Sequence, residues 1–205
     1  MIKLYGNPYS TCTRKVLTVL EETHTPFEMN VVDLGKGEHK QKPNLERQPF
    51  GQIPAIDDDG FAMFESRAIA RYLAGKAESP LLPKNPQTRA TMEQWISVEQ
   101  SNFSPNAMKF IYQWTFNRPQ EQSVLDAAGG MLEKTFTAIS APLATSAYLA
   151  GDTFSIADIA YMPYVEYLMK APPAKAIFEK HPNVVNWWTR VSERPSWRKV
   201  AGRAS

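Results

Sequence analysis

The feature that most constrains this chain is a change of hydrophobic period near residue 80. Before it, short apolar segments switch between the alternation of strands and the spacing of helices; after it, helical spacing runs almost without interruption. Lys3 to Tyr5 predicts a strand, closed by Gly6-Asn7-Pro8. Thr13 to Glu22 puts Val16, Leu17 and Leu20 on one helical face, and Phe27 to Val32 has the β-branched content of a second strand. Glu38 to Arg47 is polar and interrupted by proline, which suits a loop with a short helix. Ile53 to Ile56 and Phe61 to Phe64 flank Asp57-Asp58-Asp59-Gly60, a hairpin signal because Asp-Gly accepts the positive φ of a tight turn. Ser66 to Leu73 then carries Ile69, Tyr72 and Leu73 on one helical face. The order β-α-β followed by β-β-α predicts a compact α/β domain over residues 1–78.

Pro80, Pro83 and Pro86 make residues 79–88 a linker, and residues 89–205 read as an all-helical domain. Long helices are expected from Gln87 to Phe116 and from Glu121 to Ala141, parted by Asn117-Arg118-Pro119. Shorter ones are expected from Tyr161 to Leu168 and from Val184 to Val191. Ser155-Ile156-Ala157-Asp158 has the form of a capping box, in which the serine accepts from the new helix and the acid reaches back to the cap's own N–H. Phe154 and Ile159 are placed to staple that end. This is a folding signal, and no chemistry is assigned to it.

Composition removes several function classes. A hydrophobic content of 43% with 21% charged residues excludes a mainly disordered chain. No apolar run approaches the ~18 residues that span a bilayer. The opening MIKLYGNPYS lacks a charged segment followed by a long apolar one, so no secretory signal is expected. Cys12 is the only cysteine, which forbids an intrachain disulfide and suits the cytoplasm. Lys and Arg total 23 against 21 Asp and Glu, a formal charge of +2, too little to point to nucleic acid or a membrane surface. The expected partner is a small molecule or another protein.

Four segments carry candidate chemistry. Tyr9-Ser10-Thr11-Cys12 stands at the first strand-to-helix turn, where unpaired N–H groups and a partial positive charge favour an anion and a hydroxyl can donate to a thiolate. The plainer alternative is that Ser10 or Thr11 only caps the helix. In Gln48-Pro49-Phe50-Gly51-Gln52-Ile53-Pro54, a proline leads into a strand without an N–H for the ladder. A cis Ile53-Pro54 bond would leave the Ile53 amide able to pair with an extended peptide, and an ordinary trans edge proline is the alternative. Phe64-Glu65-Ser66-Arg67 opens a helix at which Ser66 and its N–H suit a carboxylate and Glu65 suits an ammonium, together the head of an α-amino acid. His39-Lys40 adds cationic donors on a loop.

The order and spacing of these pieces resemble the cytosolic glutathione transferases, closest to the plant phi-like type, and the resemblance implies a bacterial member of phi-like or theta-like type. The resemblance rests on Tyr9-Ser10-Thr11, Glu38-His39-Lys40, Pro49-Phe50-Gly51-Gln52-Ile53-Pro54 and Phe64-Glu65-Ser66-Arg67-Ala68-Ile69, with Leu149-Ala150-Gly151-Asp152 through Asp158 in the last third. It implies a thioredoxin-like domain that binds glutathione, a helical domain that walls the second substrate, and a homodimer. It also implies a serine-type active site. Ser10 would donate to the glutathione sulfur, and His39 and Lys40 would hold the glycyl carboxylate. Gln52 would assist, Ile53 before Pro54 would pair with the cysteinyl unit, and Glu65 and Ser66 would bind the γ-glutamyl head. The implied activity is conjugation of glutathione, the cosubstrate, to hydrophobic electrophiles in detoxification, with peroxidase side activity. Neither a metal nor a bound cofactor is expected.

Two alternatives stand beside this reading. Cys12, in the first helical turn, could itself act as a thiolate in glutathione-dependent disulfide exchange, or be a small buried hydrophobe. A non-catalytic module with the same architecture is the other, against which stand Ser10, Glu65 and Ser66. For the electrophile, Met108, Tyr112 and Phe116 recur at every fourth position on one helical face that Tyr9 could approach; the same spacing also suits plain core packing.

Overall fold

Ile2 and Leu4 are buried while Lys3 between them is exposed, so strand β1 (Ile2–Gly6) offers one apolar face to a core. A computed structural model describes residues 1–203. Helix α1 (Thr11–Glu22) starts two residues earlier than the apolar pattern suggests, because Ser10 caps it. Its buried apolar face is Val16, Val19 and Leu20, with Leu17 half-buried. Gly6 is required where α1 begins to cross the strand: a Cβ there would lie 2.7 Å from Thr13 Oγ1. Strand β2 (Phe27–Val31) returns parallel to β1.

A single 3-10 turn (Glu38–Lys40) and the four-residue helix α2 (Lys42–Leu45) then lead to strand β3 (Ala55–Asp58) and strand β4 (Phe61–Phe64). The sheet order is β2-β1-β3-β4, with β3 antiparallel to both its neighbours. The hairpin turn is Asp59-Gly60, with φ of 51° and 96°, and both aspartates before it belong to the strand. Asp58 stays in β3 because its carboxylate is buried and anchored to helix α3 (Ser66–Lys76), accepting from Tyr72 Oη at 2.6 Å and from Lys76 Nζ.

The Lys76 ammonium, then the Tyr72 hydroxyl, hold the Asp58 carboxyl below its usual range. A carboxyl whose folded-state pKa is lowered adds stability above its unfolded pKa of about 3.9, and that stability is lost as pH falls through the folded value. Asp58→Asn should therefore flatten the acid limb of the stability curve below roughly pH 4.5. Urea unfolding at a series of pH values checks this; an acid limb as steep as the parent's refutes it.

The helical part contains α4 (Pro86–Val98), a π-helical turn (Glu99–Phe103), α5 (Ser104–Trp114), α6 (Gln122–Leu143), α7 (Ile156–Leu168), α8 (Pro172–Glu179) and α9 (Pro182–Ser192). The single helix expected from Gln87 to Phe116 is thus interrupted. The wide turn lies where Pro105, lacking an N–H, would otherwise drive its ring toward the Ser101 carbonyl. Phe103 in that turn packs edge-on to Phe136 at 5.6 Å and against Tyr161 at 4.9 Å. The expected capping box is formed: Ser155 N–H donates to Asp158 Oδ2 at 3.0 Å, and Phe154 and Ile159 are both buried.

The described chain divides into two compact units, one of Met1–Leu82 with Pro195–Arg203, the other Pro83–Arg194. The expected 89–205 domain needs correction at its C-terminal end. Helix α10 (Pro195–Val200) packs against α1, where Lys199 pairs with Glu21 at 2.8 Å, Ser196 donates to Glu22 and Trp197 is buried. Helices α8 and α10 are absent from the sequence expectations. Both begin on proline, which serves as a first helical residue as readily as it breaks a helix.

Candidate active site

Pairing register decides which segments meet. Tyr5 faces Ala55, Ala55 faces Phe64, and Gly6 faces Val31. The turn after β1, the loop after β2, the lead into β3 and the residue after β4 therefore all leave one end of the sheet. Every candidate from Ser10 to Ser66 lies on one of these connections or in the first turn of the helix that follows it.

The first turn is braced from within. Asn7 Oδ1 accepts from the Tyr9 N–H at 3.0 Å, its Nδ2 donates to the Val32 carbonyl at 3.3 Å, and Arg14 Nε donates to the Pro8 carbonyl at 2.9 Å. Ser10 Oγ accepts from the Thr13 N–H at 3.3 Å, so the capping role is real. A hydroxyl also carries one donor, and the Ser10 proton has no acceptor among the described residues. Capping and donation to a ligand are compatible, since they use different parts of the same group. Cys12 is a free, half-buried thiol in the first turn of α1.

The Ile53-Pro54 bond is cis. Neither the N–H nor the C=O of Ile53 has a partner among the described residues. Glu65 is exposed and held at φ 72° and ψ 105°, a strained conformation for a residue with a Cβ, directly before buried Ser66 at the start of α3. His39 is half-buried and its Nδ1 lies buried without a hydrogen bond, which leaves Nε2 as the nitrogen open to a ligand. Lys40 and Gln52 are exposed. Two buried residues that the sequence reading missed, Asn44 and Gln48, hydrogen-bond to the backbone of His39 and Gln52. Nothing in the local pattern marks them, because polar residues in a polar loop look solvated. Among the described residues no cluster of His, Cys, Asp and Glu could hold a metal.

The helical unit carries the other candidates. Met108 and Tyr112 share a face of α5, and Phe116 follows the helix end, 41% exposed. Their rings run on to a residue that sequence spacing could not reach: Tyr112 lies 6.4 Å from Phe116, and Phe116 lies 6.1 Å from Tyr167 on α7. Tyr9 belongs to the first unit and is 67% exposed.

Residues 1–75 match the glutathione S-transferase N-terminal domain, and residues 103–195 match the glutathione S-transferase C-terminal domain. Glutathione S-transferase F11 of Arabidopsis thaliana is 35% identical over 207 residues, covering 98% of this chain and 97% of that protein. The chain belongs to the glutathione S-transferases. Its fold is that of the family: glutathione transferase F7 from Populus trichocarpa superposes with a TM-score of 0.93 at 38% identity, with all of both chains covered. Maize glutathione S-transferase I, solved with an atrazine glutathione conjugate, gives 0.90 at 33% identity over 98% of this chain and 97% of that one. These relatives are plant proteins and support the phi-like kinship; they lend no support to a bacterial origin, a theta-like type or a serine-type active site.

Proposed function

We propose that this glutathione S-transferase conjugates reduced glutathione to hydrophobic electrophiles through a thiolate stabilised by Ser10. The observation that carries the reading is the unengaged hydroxyl proton of Ser10 at the N-terminus of α1, on the same end of the sheet as Ile53, Glu65 and Ser66. An extended tripeptide finds there what each of its parts needs. The free N–H and C=O of Ile53 suit the cysteinyl backbone. Glu65 suits the γ-glutamyl ammonium, and Ser66 with the N-terminus of α3 suits its carboxylate. His39 Nε2, Lys40 and Gln52 suit the glycyl end. Met108, Tyr112 and Phe116 of the helical unit are proposed to receive the electrophile, and an apolar aromatic surface also suits organic hydroperoxides. Two subunits would pair in the homodimer, for which Phe61, 52% exposed, and half-buried Met63 on β4 are the candidate anchors. A cytoplasmic location fits this chemistry.

The Glu65 assignment tests the reading. Glu65 is exposed, so water screens its pairing with an ammonium, and Glu65→Ala should weaken glutathione binding only about five-fold. Isothermal calorimetry with reduced glutathione measures it. Unchanged affinity refutes the γ-glutamyl assignment, and a parent protein that neither binds glutathione nor accelerates its reaction with an aryl halide refutes the function.

A further inference from the structure

We propose that Asn44 is a positioning residue for glutathione, tying together the two sides of the loop that carries His39 and Gln52. The proposal rests on the function proposed above. The side chains of His39, Lys40 and Gln52 make no hydrogen bonds among the described residues, so the place of each is set through its backbone. Asn44 supplies much of that setting. It is 4% exposed, and its Nδ2 uses both hydrogens, one on the His39 carbonyl at 2.9 Å and one on the Gln52 carbonyl at 3.2 Å. One amide nitrogen thus joins two backbone positions that lie on either side of α2.

Two further contacts act on the same pair. Buried Gln48 accepts the Gln52 N–H on Oε1 at 3.0 Å, so the Gln52 residue is held at both its N–H and its C=O immediately before Ile53. Gly51 has φ +62°, and a Cβ there would lie 3.3 Å from the His39 carbonyl oxygen, so the two sides of the loop approach closely. His39 and Gln52 are consequently fixed relative to each other and to Ile53 by buried groups that need not touch glutathione.

The other end of the Asn44 amide argues that stability is not chiefly what this residue supplies. Its Oδ1 is buried without a hydrogen-bond partner. Burying an acceptor unpaired carries a desolvation penalty that offsets much of what the two donated bonds contribute. Truncating Asn44 removes that penalty but strands the His39 and Gln52 carbonyls, so it should lower stability modestly and change the geometry of the glutathione loop considerably.

The test uses the full chain with Asn44→Ala and Asn44→Asp, the latter keeping the shape while removing both donors. Steady-state kinetics with reduced glutathione and an aryl halide should show the KM for glutathione rising about five-fold in both variants, with kcat at saturating glutathione and the KM for the halide changing less than about two-fold. Because Asn44 acts through His39, the double variant with His39→Ala should lose less than the product of the single losses. Asp58→Asn, which loosens the same unit at the other end of β3, should leave the KM for glutathione unchanged. An unchanged KM for glutathione in Asn44→Ala overturns the role. So does a rise shared with Asp58→Asn, or a fully multiplicative double variant, since either marks general loosening. A parent protein without glutathione-dependent turnover fails the underlying function, and the positioning role goes with it.

Discussion

Ser10→Ala should slow conjugation of glutathione to an aryl halide at neutral pH by at least about ten-fold, and should move the kinetic pKa of the bound thiol upward. A free thiol with a pKa of about 8.5 is only a few per cent thiolate at pH 7. Lowering that pKa by two units requires about 2.7 kcal/mol of preference for the anion. One hydrogen bond to a charged group contributes about 1.5–3 kcal/mol, and a helix N-terminus about 0.3–1. Ser10 can supply the first because its proton is not engaged, and α1 supplies the second. Removing the hydroxyl leaves the helix end in place, so the thiol keeps the smaller contribution and activity falls without vanishing. The same substitution uncaps the Thr13 N–H and should lower stability by about 1 kcal/mol, so rates belong well below the unfolding temperature. Cys12→Ala should cost little, because the nucleophile belongs to glutathione. The reverse pattern assigns the chemistry to Cys12: conjugation lost in Cys12→Ala and intact in Ser10→Ala, with a mixed disulfide visible by mass after incubation with oxidised glutathione.

Asp158→Asn should destabilise the helical unit by about 2–4 kcal/mol, a large effect for a change of one atom type. The carboxylate is fully buried and accepts from the Leu149 N–H at 3.0 Å, the Ser155 N–H at 3.0 Å and Trp187 Nε1 at 2.8 Å. These donors belong to the turn before α7, the cap of α7 and the buried face of α9. An asparagine oxygen on the Oδ1 side keeps Leu149 and Trp187 satisfied but turns an NH2 toward the Ser155 N–H, donor against donor. Urea unfolding at neutral pH reads the loss as a shifted midpoint with an unchanged slope, and a shift worth under about 1 kcal/mol contradicts this account. Burial pushes the Asp158 carboxyl above its usual range, against the pull of its donors. A raised folded-state pKa contributes stability below the unfolded value that is lost as pH rises through the folded one. Asp158 therefore does not drive acid unfolding, and the acid limb falls to the carboxyls held below their usual range, Asp58 and Asp33.

The sequence by itself determined the elements whose causes are local. Period and turn chemistry placed all four strands and α1, α3, α6, α7 and α9 near their observed positions, and the capping box at Ser155 and Asp158 was readable because its partners lie three residues apart. The candidate site was equally legible at Ser10, Ile53, Glu65 and Ser66, since each sits at a strand or helix end that short-range signals mark. What only the tertiary structure decided depends on contacts between distant residues. Strand register gathered those ends on one side of the sheet. Asp58 stayed in β3 because Tyr72 and Lys76 neutralise its burial from the next helix. The last helix joined the first unit through Glu21, Glu22 and Trp197, although its composition resembles that of the helices before it. Tyr167 extended the aromatic strip from another helix, and Asn44 and Gln48 became buried amides inside a loop that reads as solvated. The reason is common to all of these: a side chain's type and period are fixed by its neighbours in the chain, whereas its burial and hydrogen-bond partners exist only once distant segments have packed.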